Sequence, residues 1–202
     1  IGGAATVVAE LAFALTVFWG KEVSVLAPGT RCRADGEVPY RVERTGTRGR
    51  QDWPDRISLI RYLRRRKWEE DEEVIFADPG AVRAALYARY LGVRLPRPPI
   101  LILHGSEILR LTIWPHRRLL FEKFISHCRR VQVLSHCNRN LLVEKLPGLR
   151  VPVVVAPGAP SRKPLRETGG RPKERKDSDP LLTILTVGRI HPRKGQLDTL
   201  MA

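Results

Sequence analysis

Short, largely apolar runs alternate with helix-length segments along most of this chain, and that alternation limits the folds open to it. The runs are 22–27 (EVSVLA), 74–77 (VIFA), 100–103 (ILIL), 131–134 (VQVL) and 151–156 (VPVVVA). Each is too short for a buried helix. Each is closed by turn or cap residues: Pro28-Gly29, Asp78-Pro79, His104-Gly105, Ser135 and Pro157-Gly158. Strands without polar alternation are buried on both faces, the condition of a parallel sheet between helices. The intervening segments predict helices over 2–18, 54–67, 78–91, 115–128 and 137–146. Gly20 stops the first, Asp78 and Pro79 start the third, and Ser135 caps the last. A short strand is expected near 40–43 within a polar stretch. The class is therefore α/β, with a parallel sheet and helices on both faces.

The pattern breaks once. Residues 159–180 are rich in Pro, Gly, Lys and Arg and nearly free of aliphatics, the composition of a linker. The run 181–187 (LLTILTV) then opens a second unit, with Gly188-Arg189 after the strand and Lys194-Gly195 at a helix start. The expected organisation is one domain over 1–158, a basic linker over 159–180 and the start of another domain over 181–202. The sequence opens on Ile1, and its single Met is Met201, so it reads as a piece of a longer chain. The first domain is expected to lack the strand that would lead into Gly2.

Net charge is +15, from 36 Lys and Arg against 21 Asp and Glu. This favours anionic partners: phosphate esters, nucleic acid or an acidic membrane surface. Arg-rich coding bias accounts for the same number equally well. The three cysteines, Cys32, Cys128 and Cys137, form no CxxC pair, which fits a reducing cytoplasm. Cys128 and Cys137 read as buried thiols. The apolar segment 4–18 is too short to span a membrane and contains Glu10. The histidines show no metal-ligand spacing.

In a parallel sheet, ligands sit at the carboxyl ends of the strands. The polar clusters lie there: Gly2-Gly3, His104 to Glu107, Ser135, Gly158 and Gly188 to Gly195. The last, GRIHPRKG, places Arg189 and Lys194 beside a helix start, a setting suited to a diphosphate. A solvated basic loop is the alternative. Gly2-Gly3 suits a phosphate or sugar contact, or a tight turn. His104 can bond a substrate hydroxyl or local backbone. Glu107 can hold a sugar hydroxyl or cap the next segment. The basic stretches 61–67 and 162–176 carry few aromatics and no nucleic-acid module signature, so a solvated face or linker is the better account.

Four segments, in order, resemble the family-four retaining glycosyltransferases. IGGAATVVAELAFALTVFWGKEVSVLAP (1–28) is similar to their glycine-loop opening GGAERVVxELAxALxxRGHEVxVLAP. ILILHGSEILRL (100–111) resembles their HGSE segment. VQVLSHCNRNLLVEKLPGLRVPVVVAPGAP (131–160) and TILTVGRIHPRKGQLDTLMA (183–202) resemble the two that follow. The resemblance implies two Rossmann-like domains facing a cleft, with acceptor on the first and nucleotide-sugar donor on the second. By position, Arg189 and Lys194 match the cationic pair on the donor diphosphate, and His104 matches the histidine on the transferred sugar. Gly2 and Gly3 match the glycine loop. Ser135 and Gly158 match cleft-lining positions, and Glu107, Gly188 and Gly195 are further candidates for donor or acceptor binding. No metal or cofactor is implied, the nucleotide-sugar being a co-substrate. Pro157-Gly158 stands where the family has Asn-Gly, and Ala5 where Glu is usual. The family's paired glutamates would lie beyond Ala202, so the 202-residue piece alone is expected to be inactive.

The expected function is transfer of a sugar, with retention, from a UDP-, GDP- or ADP-sugar to a hydroxyl on a glycan, lipid-linked or polyol acceptor. The expected setting is cell-surface polysaccharide or glycolipid synthesis. The expected place is the cytoplasm, with peripheral contact at an anionic membrane face. No nucleic-acid partner is expected; a basic nucleic-acid-binding α/β protein and a non-catalytic domain of this fold are the rivals.

Overall fold

The computed structural model describes residues 3–46 and 53–157, all of which lie in one compact unit bounded by Ile1–Arg162. The chain runs α1 (Gly3–Val17), β1 (Ser24–Ala27), a single 3-10 turn (Arg33–Gly36), β2 (Arg41–Arg44), α2 (Trp53–Arg65), β3 (Ile75–Phe76) and α3 (Pro79–Tyr90). It continues through β4 (Ile100–Leu103), α4 (Ser106–Thr112), α5 (Pro115–Ser126), β5 (Arg130–Val133), α6 (His136–Lys145) and β6 (Val153–Val155). Among the described residues every strand pairing is parallel. This is the α/β class anticipated from the apolar runs, in the Rossmann-like form that the resemblance implies.

Each boundary has a local cause. Gly20, with φ +58°, leaves the helical region just after α1. Asp78 accepts from the Gly80 and Ala81 amides at 2.7 and 3.3 Å, and Pro79 supplies the first helical φ of α3. The Ser135 hydroxyl accepts from the Asn138 amide at 3.2 Å and starts α6. Such a cap contributes about 1 kcal/mol.

The core sits around β4, whose four residues are all buried. Val131 and Val133 of β5 extend it sideways. Val82 and Leu86 of α3, Phe121, Phe124 and Ile125 of α5, and Leu142 of α6 cover it. Replacing Phe121, which has no exposed surface, by Ala would remove about 3–5 kcal/mol.

The sequence expectation needs three corrections. The pairing forms two sheets, β1-β2 and β3-β4-β5-β6, because no described strand joins β1 to β3. The segment after His104-Gly105 is helical: α4 is short, but Ile108 and Leu111, three apart, both face the core. Cys137 is exposed, because it falls in the first turn of α6 on the side away from Leu142. Cys128 is buried as expected, and burial pushes its thiol up to about 12.

Candidate active site at the carboxyl edge of the sheet

The parallel register of β3, β4 and β5 brings three chain reversals to one edge of the sheet. After β3 comes Ala77-Asp78, after β4 His104-Gly105, and after β5 Leu134-Ser135. A hydrogen bond ties the first two together: the His104 imidazole Nε2 lies 2.8 Å from the Ala77 carbonyl. A carbonyl only accepts, so Nε2 donates to it, and in the tautomer that carries its proton there Nδ1 is an acceptor. Half of the local-backbone alternative for His104 is thus realised, while its other nitrogen keeps acceptor capacity. Among the described residues Nδ1 has no partner.

Glu107 is 1% exposed. One carboxylate oxygen accepts from the His104 backbone amide, the other from the Ser106 hydroxyl at 3.3 Å. In this arrangement Glu107 reaches back to the strand end and caps no amide of α4. A buried carboxylate is costly unless its oxygens are bonded. Meeting that demand with the His104 amide fixes the backbone that carries the imidazole.

Gly105 sits between these two residues with φ +107°, a conformation that side-chain-bearing residues rarely adopt. A methyl group there would also lie 2.6 Å from the Asn138 side-chain oxygen. The reversal after β4 and the first turn of α6 therefore touch, with Asn138 against the Gly105 backbone. Ser135 holds Asn138 through its amide. Sequence reasoning placed His104, Glu107 and Ser135 here, and the structure brings all three loops together. It missed Asn138, whose only signal is its position three residues after the cap.

Gly3 opens α1. Gly2, Gly158, Gly188, Arg189, Lys194 and Gly195 lie outside the described residues.

A concavity of about 750 Å³ runs the length of β2, from Tyr40 to Gly46, and is bounded by Gly29, Thr30 and Arg31 beyond β1. Its wall is set by Arg44, whose Nε donates to Asp35 at 3.0 Å and whose Nη1 donates to the Pro28 carbonyl at 2.7 Å. The Arg44 guanidinium, and then the Cys32 amide, hold the Asp35 carboxyl well below the usual carboxylate range. Among the described residues no three His, Cys, Asp or Glu side chains gather as a metal ion would require. No described helix is long and apolar enough to cross a membrane.

These loops, at the ligand-binding edge of a parallel sheet, agree with what comparison finds. The family model described as Glycosyltransferase Family 4 matches residues 1–172, and the chain belongs to that family. No curated protein matches the chain. The family makes it a glycosyltransferase domain, with a sugar donor and an acceptor as its general partners.

Proposed function

We propose that this chain carries the acceptor-side domain, 1–158, of a retaining hexosyltransferase that uses a UDP-, GDP- or ADP-sugar. A linker over 159–180 and the start of the donor domain over 181–202 follow in this reading. The acceptor is a hydroxyl on a lipid-linked sugar, a polysaccharide precursor or a polyol, met at the inner face of a membrane.

The observation that carries the reading is the His104 loop. Its imidazole is oriented by Ala77, and its backbone is fixed by the buried Glu107. That leaves an acceptor nitrogen at the edge of the sheet where a sugar hydroxyl would lie. Gly2, Gly3, Ser135 and Gly158 line the same cleft in this reading. Arg189 and Lys194, between Gly188 and Gly195, hold the diphosphate.

The chemistry needs little else. The bond to the leaving diphosphate breaks as negative charge gathers on its oxygens. Two fixed cations stabilise that charge more in the transition state than in the ground state. No metal ion or cofactor takes part, because the cations do what a metal would otherwise do.

The test is transfer from labelled sugar nucleotides, assayed on the protein as its gene encodes it, with the anomeric configuration of the product read by NMR. His104→Ala should lower turnover about 100-fold, and Arg189→Ala with Lys194→Ala should abolish it. An inverted product, or unchanged turnover in either variant, removes the corresponding part of the reading. Salt-sensitive RNA or DNA binding with no response to any sugar nucleotide would favour the nucleic-acid rival.

A further inference from the structure

Single exposed apolar side chains are normal on a folded surface. Two groups here are not single. Val17, Phe18 and Trp19 end α1 and follow it, close in the chain to exposed Lys21 and Glu22, whose charges cancel. The other group is the corner between α4 and α5. Leu109, Ile113, Trp114 and Leu119 are all exposed there, Ile113 by 71% and Trp114 by 55%. Helix geometry explains the first two. Ile108 and Leu111 turn α4 onto the core, and the Ile113 amide bonds the Leu109 carbonyl at 3.0 Å. Leu109 and Ile113 are therefore stacked on the opposite, outer face. Then α5 starts at once: Pro115 is its first residue, and the Arg118 amide bonds the Trp114 carbonyl at 2.9 Å. The Trp114 ring stacks on the exposed His116, with centroids 6.5 Å apart.

Three exposed cations alternate with these groups along the chain, Arg110 on α4 and Arg117 and Arg118 on α5. No Asp or Glu occurs in 108–121. Elsewhere arginines are balanced: Arg44 by Asp35, Arg66 by Glu72 and Arg129 by Glu73. Among the described residues none of the three corner arginines forms an ion pair.

An apolar corner accompanied only by cations complements an anionic lipid bilayer. The headgroup layer takes the guanidinium groups, and the acyl boundary beneath it takes Leu, Ile and Trp. Arginine stems are long enough to reach between the two levels. A nucleic-acid strand would use the cations but leave Leu109, Ile113 and Leu119 in water. A second copy of this chain, meeting the first through the same corner, would set like charges against each other. The place of the corner also matters. Helix α4 leaves the sheet directly after His104-Gly105 and is only about 10 Å long, so a docked corner holds the His104 loop close to the lipid surface.

We infer that the exposed α4–α5 corner, with Leu109, Ile113, Trp114 and Leu119 as its apolar edge and Arg110, Arg117 and Arg118 as its cations, docks this protein on an anionic bilayer. That the docked bilayer supplies the acceptor rests on the proposed function; the docking itself does not.

The test is co-sedimentation of the protein, as its gene encodes it, with vesicles of phosphatidylcholine and phosphatidylglycerol at physiological ionic strength. Wild type should bind these vesicles far better than pure phosphatidylcholine; equal binding overturns the charge complementarity. Ile113→Ser keeps the net charge and should weaken binding about tenfold, the loss of one buried aliphatic side chain. Arg117→Gln with Arg118→Gln should weaken it by about tenfold or more. Two controls separate a docking surface from the general attraction of a chain of net charge +15. Arg64→Gln with Arg65→Gln, at exposed positions on α2, removes the same charge, and Val17→Ser, exposed at the end of α1, removes a similar apolar group. Both should bind much as wild type does. Losses in the controls equal to those in the corner variants overturn the inference.

A depth measurement keeps the test decisive if a corner variant fails to fold. Brominated acyl chains should quench the tryptophan fluorescence of bound wild type. Trp114→Phe, an apolar exchange at an exposed site, should still bind but lose most of that quenching. Quenching as strong in Trp114→Phe as in wild type would put another face, such as that of Trp19 or Trp53, in the bilayer and overturn the assignment. No sedimentation of wild type overturns it as well; a change in the oligomeric state of Ile113→Ser would then make the corner a protein interface. The transferase reading is tested apart. Vesicle binding through the corner without sugar transfer removes that reading alone. Transfer at a rate that neither vesicles nor Ile113→Ser alters removes the membrane-borne acceptor alone.

Discussion

Gly105 is the residue on which the His104 loop turns, and two separate penalties protect it. Its φ of +107° is strained for any residue with a side chain, at about 1–3 kcal/mol. Its missing Cβ also makes room for the Asn138 side-chain oxygen. Double-mutant analysis separates the two. Gly105→Ala should destabilise the chain in urea denaturation by the sum of strain and clash. Asn138→Ala should cost much less alone. Combined, the pair should recover the clash and keep the strain, so that the double variant is more stable than Gly105→Ala yet less stable than Asn138→Ala. Strict additivity would mean that the two loops do not press on each other. The same residue shows where single-sequence reading stops. Gly105 is visible as a turn after an apolar strand, but Asn138 gains its place only from the β4–β5 register, which no local pattern encodes.

At the scale of elements, legibility followed the number of local signals. The helix α3 has an Asp cap, a Pro start and six buried residues spread around most of its circumference, so its bounds were readable to within a residue. The strands β4 and β6 were readable from continuous apolar runs. The helix α4 was not, because seven residues starting from a glycine leave room for only one apolar pair.

The loop between β1 and β2 shows the reverse case, a tertiary fixture built from polar residues. There Arg44 clamps Asp35 from the end of β2 and also reaches the Pro28 carbonyl. The folded carboxyl is depressed below its unfolded value. Its contribution is therefore present above the ordinary aspartate pKa of about 3.9 and is lost as pH falls through the depressed value. A carbon-detected NMR titration should place the Asp35 midpoint clearly below that reference, and Arg44→Gln should raise it towards the reference, with the Cys32 amide keeping part of the depression. An unshifted wild-type midpoint would mean that the clamp does not persist in solution.

Across the molecule, stability is distributed unevenly, and the apolar content of the sequence does not predict where it lies. The most apolar of the described helices is α1, yet of its described side chains only Ala12 is buried, and Val17 at its end and Phe18 and Trp19 beyond it are exposed. The strand β1 is half-buried, where β4 is wholly so. Both β1 and β3 keep one edge unpaired among the described residues, a liability that folded sheets usually cover. The two-stranded sheet is tied to α2 by polar contacts: the Tyr62 hydroxyl donates to Glu43 of β2 at 2.7 Å, and Arg66, just past the helix, bonds Tyr62 and Glu72. Such contacts hold geometry but add little burial. The β3-β4-β5-β6 sheet and its helices should therefore form one cooperative unit that opens last. Native-state hydrogen exchange tests this directly. Amides of Leu101, Leu103, Val131 and Val133 should exchange only by global unfolding. Amides of Val25, Val42 and the middle of α1 should exchange at least about tenfold faster, through a partial opening worth about 1.4 kcal/mol less. Equal protection in both groups would mean that the two sheets open as one, and that the open edges of β1 and β3 are covered in solution.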